Sequence, residues 1–140
     1  MPPRHEVRGF SKLQPTPTTG QDVQIWSDTP DRNDGTSYQL SVGTDSWGKA
    51  RSLLKFDTSV VPAGTNLTSA TLRLYYDSEL WTGANSNVHE VRRVTGWSED
   101  TATWNRVNAA FAEAGSTTAT KQAGVGNVWH EWDVRDIARQ

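Results

Sequence analysis

The segment Ala70-Thr-Leu-Arg-Leu-Tyr-Tyr76 alternates with a period of two. Ala70, Leu72, Leu74 and Tyr76 fall on one face of an extended chain, and Thr71, Arg73 and Tyr75 on the other. The same rhythm returns in Val128-Trp-His-Glu-Trp-Asp-Val134, where Val128, His130, Trp132 and Val134 share a face and Trp129, Glu131 and Asp133 share its opposite. Val23 and Ile25 alternate with polar neighbours, as do Leu40 and Val42. Arg51 to Phe56 is short and apolar enough for a central strand, and Val88 to Val94 is a weaker candidate. Turn-forming residues separate these runs: Ser27 to Gly35, the hairpin-like Asp45-Ser46-Trp47-Gly48, and Val60-Val61-Pro62-Ala63-Gly64. Only Asn108 to Ala114 and Val134 to Gln140 suit helices, and both are short. Short strands punctuated by turns predict an all-β fold, an antiparallel β-sandwich or jelly roll.

A chain of 140 residues is one domain's worth. Its hydrophobic content is only 34%, and the seven tryptophans compensate, because each can bury about 150–250 Å². The core is therefore expected to be anchored on Trp. Residues 1–20 read differently: Pro2, Pro3, Pro15 and Pro17 crowd a polar stretch that suits an extended arm or linker, leaving 21–140 as the sandwich domain.

Several function classes lose support at this stage. A formal charge of −2 provides no general attraction to nucleic acid. No apolar run approaches the ~20 residues of a membrane helix, so membrane insertion is not expected. The N-terminus lacks the apolar stretch of a secretory signal peptide, so export would use another route or a longer parent chain. Zero cysteines exclude disulfides and thiol chemistry. His5, His89 and His130 lie in three unrelated contexts with no metal or nucleophile spacing. Glu99 and Asp100 are adjacent, which on a strand turns them to opposite faces, whereas a glycosidase pair needs carboxyls about 5–10 Å apart on one surface. The simpler reading of Trp97-Ser-Glu-Asp-Thr-Ala-Thr-Trp104 makes Trp97 and Trp104 core anchors, with Glu99 and Thr103 tying the loop to backbone groups. The chain is expected not to be an enzyme.

Three ordered segments carry a resemblance: Arg51-Ser-Leu-Leu-Lys-Phe-Asp57 with Pro62-Ala-Gly64 and Ser69-Ala-Thr-Leu-Arg-Leu-Tyr75; Val94-Thr-Gly-Trp97 through Trp104-Asn105; and Trp129-His-Glu-Trp132-Asp-Val134. Together they resemble the DNRLRE domain family, which overlaps carbohydrate-binding module family 96. The resemblance spans about Gln21 to Gln140. It implies a jelly-roll sandwich without catalysis, appended to a larger polysaccharide-degrading enzyme, surface protein or toxin. It also implies, for some members, an acidic polysaccharide ligand such as alginate; the expected setting is extracellular, at the cell surface or at a virion surface, the last because a virus particle component needs no signal peptide. In the family, further strands follow the Trp-Asp-Val segment, so the sandwich is expected to lack its C-terminal strands or to be completed by another chain.

Trp47, Tyr75 and Trp81 are the candidate sugar-stacking residues, and Arg51, Lys55 and Arg73 are candidate partners for uronate carboxylates, clustered on one sheet face. Asp28, Asp31, Asn33 and Asp34 form an oxygen-rich, glycine-terminated loop that can hold a structural calcium, although this spacing equally makes an ordinary turn. No other cofactor is expected. Asn66-Leu-Thr68 matches a glycosylation sequon, and Gly83 to Asn87 reads as a loop. Two functions follow. The first is a module binding polysaccharide; the second is a structural or assembly protein (a phage capsid or tail decoration, a filament subunit or a toxin segment). In the second, the arm and the sheet edge engage neighbouring subunits, including copies of the same chain.

Overall fold

The computed structural model describes residues 12–37, 39–44, 46–76, 88–113, 118–122 and 128–139. Its strands are β1 (Gly20–Trp26), β2 (Gly43–Thr44), β3 (Lys49–Phe56), β4 (Thr71–Tyr76), β5 (Val88–Arg92), β6 (Thr118–Gln122) and β7 (Val128–Asp133). Helix α1 (Trp104–Glu113) lies between β5 and β6, and the single turn α2 (Arg135–Ala138) follows β7. Among the described residues every strand pairing is antiparallel: β3 is central between β1 and β2, β4 pairs with β7, and β5 pairs with β6. The fold is all-β, as the alternation requires. Among the described residues, no helix is long and apolar enough to cross a membrane.

The core is built from one face of the β1–β3 ladder. Val23 pairs with Leu53, and Ile25 with Arg51, so Val23, Ile25 and Leu53 point the same way. Trp97, Ala102 and Val107 close over them, with Val94 and Trp104 packed at the margin. Val23 and Ile25 are essentially sealed from solvent. Trp97 supplies the expected aromatic anchor, and Trp104 serves at the margin of the cluster.

Two elements differ in extent from the sequence expectation. Helix α1 starts at Trp104 rather than near Asn108, because Thr103 caps it: the Arg106 N–H donates to Thr103 Oγ1 at 3.3 Å, and the Val107 N–H to the Thr103 carbonyl at 3.1 Å. The Leu40–Val42 run pairs only beyond its end, at Gly43 and Thr44. Ser52 Oγ donates instead to the Ser41 carbonyl, so a side chain meets this segment where a ladder would have used backbone. Strand β6, Thr-Ala-Thr-Lys-Gln, shows no apolar alternation to announce it.

The loop after β1 is knotted to the segment from Trp97 to Asn105. Asn33 Nδ2 donates to two carbonyls, Glu99 at 2.7 Å and Ala102 at 2.8 Å, while Asn33 Oδ1 accepts from the Gly35 N–H. A Cβ at Gly35 would lie 2.6 Å from the Glu99 oxygen, so the close approach requires glycine. Asn105 donates its backbone N–H to the Pro30 carbonyl and its side chain to Asp31 Oδ1. Glu99 ties the loop as expected, but through its backbone: its N–H donates to Gln21 Oε1. At the start of β1, the Thr16–Gly20 turn is held by the Gly20 N–H to the Thr16 carbonyl, and the Thr19 carbonyl accepts from the Asp57 N–H.

Candidate functional site

The β4–β7 ladder has one buried and one exposed face. Leu72 pairs with Trp132 and Leu74 with His130; Trp132 and His130 are buried, and both leucines are half-buried. Their opposite face presents Tyr75 across from Trp129, Arg73 across from Glu131, and Thr71 across from Asp133. The alternation predicted both faces correctly, and the pairing brings them together.

On that outer face Tyr75 and Trp129 remain 51% and 55% exposed. Their ring centroids are 5.4 Å apart at 67°, an edge-to-face contact that fixes both rings. The Arg73 guanidinium lies 4.9 Å from the Trp129 ring centroid, and Arg73 Nε meets Glu131 Oε1 at 2.8 Å. The result is a shelf of two aromatic rings bordered by an ion pair. Large aromatics that a fold leaves half in water, held by neighbours on a rigid ladder, are suited to packing against an amphipathic ligand. A pyranose is such a ligand, with C–H groups on its faces and hydroxyls at its rim.

Trp47 lies on the β2–β3 connection and is 75% exposed. Its loop is fastened where Ser27 exchanges bonds with Lys49: the Ser27 N–H donates to the Lys49 carbonyl at 2.9 Å, and the Lys49 N–H to Ser27 Oγ at 2.7 Å.

Residues 14–140 match carbohydrate-binding module family 96. The chain belongs to that family. No curated protein matches the chain. The match opens at residue 14, ahead of the Thr16–Gly20 turn that leads into β1. Carbohydrate-binding module family 96 thus takes in part of the stretch read from sequence as an arm.

The remaining candidate residues of this family 96 domain fall elsewhere. Arg51 and Lys55 are on β3, on the face that carries Leu53, so they flank the core. The Arg51 guanidinium lies 4.7 Å from the Trp104 ring centroid, and its Nη1 donates to Asn108 Oδ1 at 2.9 Å. Burial, and then the like charge of Arg92, lower the Arg51 pKa from its ordinary value, yet an arginine stays charged. Lys55 Nζ lies 4.5 Å from the Trp97 ring centroid and donates to the Trp97 carbonyl at 2.6 Å. These two cations lid the core tryptophans, on a different sheet from Arg73. Trp81 lies outside the described residues.

In the acidic loop, Asp34 Oδ1 meets Arg32 Nε at 2.9 Å and Asp34 Oδ2 accepts from Gln24 Nε2. Asp31 accepts from Asn105, and Asn33 is committed to the clamp. Among the described residues, no three His, Cys, Asp or Glu side chains gather in a way that could hold a metal ion. Trp129 and Glu131 were not singled out from sequence as contact residues. The signal was present in the β7 alternation, but which strand faces β7 is written in no local pattern.

Proposed function

We propose that this chain is a non-catalytic extracellular module that holds polysaccharide on the Tyr75–Trp129 shelf and anchors a larger protein to its substrate or surface. The observation that carries this reading is the pair of half-exposed, mutually fixed rings on a ladder whose other face is buried. Family membership supports the ligand class. Magnitude supports the site: a Trp side chain of about 150–250 Å², half exposed, leaves roughly 100 Å² for a sugar face to cover, worth about 2.5 kcal/mol. Polar contacts to hydroxyls from Arg73 and Glu131 would then set orientation rather than affinity. A single shelf gives modest binding, and repeated modules in one parent protein would raise it through effective concentration.

Affinity electrophoresis against a panel of soluble polysaccharides tests the proposal. The intact chain is expected to be retarded by at least one gel, and Trp129→Ala to run freely while keeping its circular dichroism and melting temperature. Retardation of Trp129→Ala equal to that of the parent would remove the shelf from consideration.

A further inference from the structure

We propose that the Asp34–Gly35 step is a covalent modification site, where isoaspartate forms through a succinimide, and that the Asn33 clamp gates it. Gly35 is the only glycine of the sequence that follows Asp or Asn. Without a Cβ its backbone nitrogen is unhindered, and its main chain can turn toward the preceding side chain. In the cyclisation that nitrogen attacks Asp34 Cγ and the N–Cγ bond forms. One carboxyl oxygen leaves as water, taking the amide proton and the acid proton. Water then opens the ring. Opening at Cγ restores aspartate; opening at the Asp34 main-chain carbonyl carbon leaves the chain running through Cγ, with the freed carboxylate on Cα. One water is lost and one gained, so nothing is oxidised or reduced and the mass is unchanged.

The fold holds the reacting groups apart from that step. The Gly35 N–H donates to Asn33 Oδ1 at 3.2 Å, and the Asp34 carbonyl accepts from the Ser37 N–H at 3.1 Å. Both carboxylate oxygens are engaged, Oδ1 with Arg32 Nε at 2.9 Å and Oδ2 with Gln24 Nε2 at 3.3 Å, and Asp34 is buried. The Gly35 backbone sits so close to the Glu99 carbonyl that not even a Cβ fits. Reaction therefore requires the loop to lift from the Trp97–Asn105 segment. The two bonds from Asn33 Nδ2 to the Glu99 and Ala102 carbonyls oppose that lifting, together with those of Asn105 to Pro30 and Asp31. Isoaspartate adds a methylene to the main chain and takes the carboxylate off the side chain. Gln24 and Arg32 then lose their partner, and the close contact with Glu99 cannot be rebuilt. A reversible opening becomes a permanent one.

Ageing the intact chain at neutral pH in oxygen-labelled water, folded and in strong urea, beside Asn33→Ala and Gly35→Ala, provides the test. The tryptic peptide 33–49 reads the chemistry. Isoaspartate shifts its chromatographic retention, carries labelled oxygen and accepts a methyl group from S-adenosylmethionine through isoaspartate methyltransferase. In strong urea the parent is expected to convert, and Gly35→Ala to convert far more slowly. Folded, the parent is expected to lag well behind its unfolded rate. Asn33→Ala, its fold checked by circular dichroism, is expected to convert about 5–30-fold faster than the folded parent, the factor that two hydrogen bonds contribute to the opening equilibrium. Urea below the parent's unfolding midpoint gives the same comparison without a substitution, and the rate is expected to rise there through local opening. The purified isoaspartyl chain is expected to unfold at a lower urea midpoint than the parent.

No isoaspartate at Asp34 in the unfolded chain would overturn the site. Conversion of the folded parent as fast as in strong urea would overturn the gate and leave the site standing. A folded Asn33→Ala that converts no faster than the parent would refute Asn33 as the gate. Should that variant not fold, a parent rate that stays flat in urea until global unfolding would refute it instead. Labelled oxygen at Asn33 rather than Asp34 would overturn the assignment in favour of deamidation of the clamp itself. An isoaspartyl chain with the parent's midpoint would refute the permanent opening.

Discussion

Replacing Asn33 with Asp changes one atom type and should cost the domain a large share of its stability. Asn33 Nδ2 donates to the carbonyls of Glu99 and Ala102 at 2.7 and 2.8 Å, and those carbonyls belong to the turn that carries Trp97 onto the core. Deleting the amide, as in Asn33→Ala, removes two hydrogen bonds worth about 1 kcal/mol each, less what water restores at this exposed edge, so about 1–2 kcal/mol. Asn33→Asp does more, because an acceptor then faces two acceptors and brings a negative charge. The expected loss is about 2–4 kcal/mol, against a total of about 5–15 kcal/mol for a domain. Urea unfolding followed by Trp fluorescence should show a lower midpoint at unchanged slope.

The pH dependence supplies an internal control for that variant. The two carbonyls disfavour the ionised form, so the introduced carboxyl has a raised pKa in the folded state. A raised folded pKa means that the penalty is smallest below the unfolded pKa, about 4, and grows as pH rises through the folded value. The gap between Asn33→Asp and the parent should therefore narrow in acid. A variant within about 0.5 kcal/mol of the parent at neutral pH would refute the clamp, since differences that small are ordinary for surface substitutions.

A Cβ at Gly48 would collide with Ser27 Oγ, the atom that accepts from the Lys49 N–H. Gly48→Ala should therefore destabilise by about 1–3 kcal/mol in thermal unfolding, and no change would mean that the Ser27 contact gives way freely. Lys55→Met keeps the stem over Trp97 but removes the ammonium, so it should cost about 1–2 kcal/mol and shift Trp emission; an unchanged emission maximum would argue against the contact. The Asp57 carboxylate accepts from the Ser59 N–H at 2.9 Å, and hydrogen bonding to Ser59 holds its pKa below the ordinary value. That depressed pKa stabilises the fold above the unfolded pKa and is lost as pH falls through the folded one. Carboxyl carbon NMR should place Asp57 below a free aspartate, and an ordinary midpoint would contradict the turn.

Much of this was legible in sequence because strand phase is local. Alternation in β4 and β7 put Leu72 with Leu74, and His130 with Trp132, on faces opposite Tyr75 and Trp129, and the structure buries His130 and Trp132 while leaving Tyr75 and Trp129 exposed. What it could not convey is partnership. Tyr75 drew notice and Trp129 did not, because their contact depends on register across β5, α1 and β6. Arg51 and Lys55 were legible in principle, since each is two residues from Leu53 and must share its face. The assumption that cations turn to water concealed this, whereas long stems can lie over core rings with their charges at the rim. Helix α1 was read short because Trp104, Asn105 and Arg106 carry no acidic first turn; Thr103 alone marks the start.

The pairing of β4 with β7 also has a temporal meaning. While β1 and β3 meet through a local connection, β4 must wait for β5, α1 and β6 to emerge before its partner exists. Such non-local pairing is slow to form, because chain closure comes before any contact rewards it. The two rings of the shelf join only when that ladder closes. If the shelf is the sugar site, binding would report that this ladder is closed, and a bound glycan would oppose its opening.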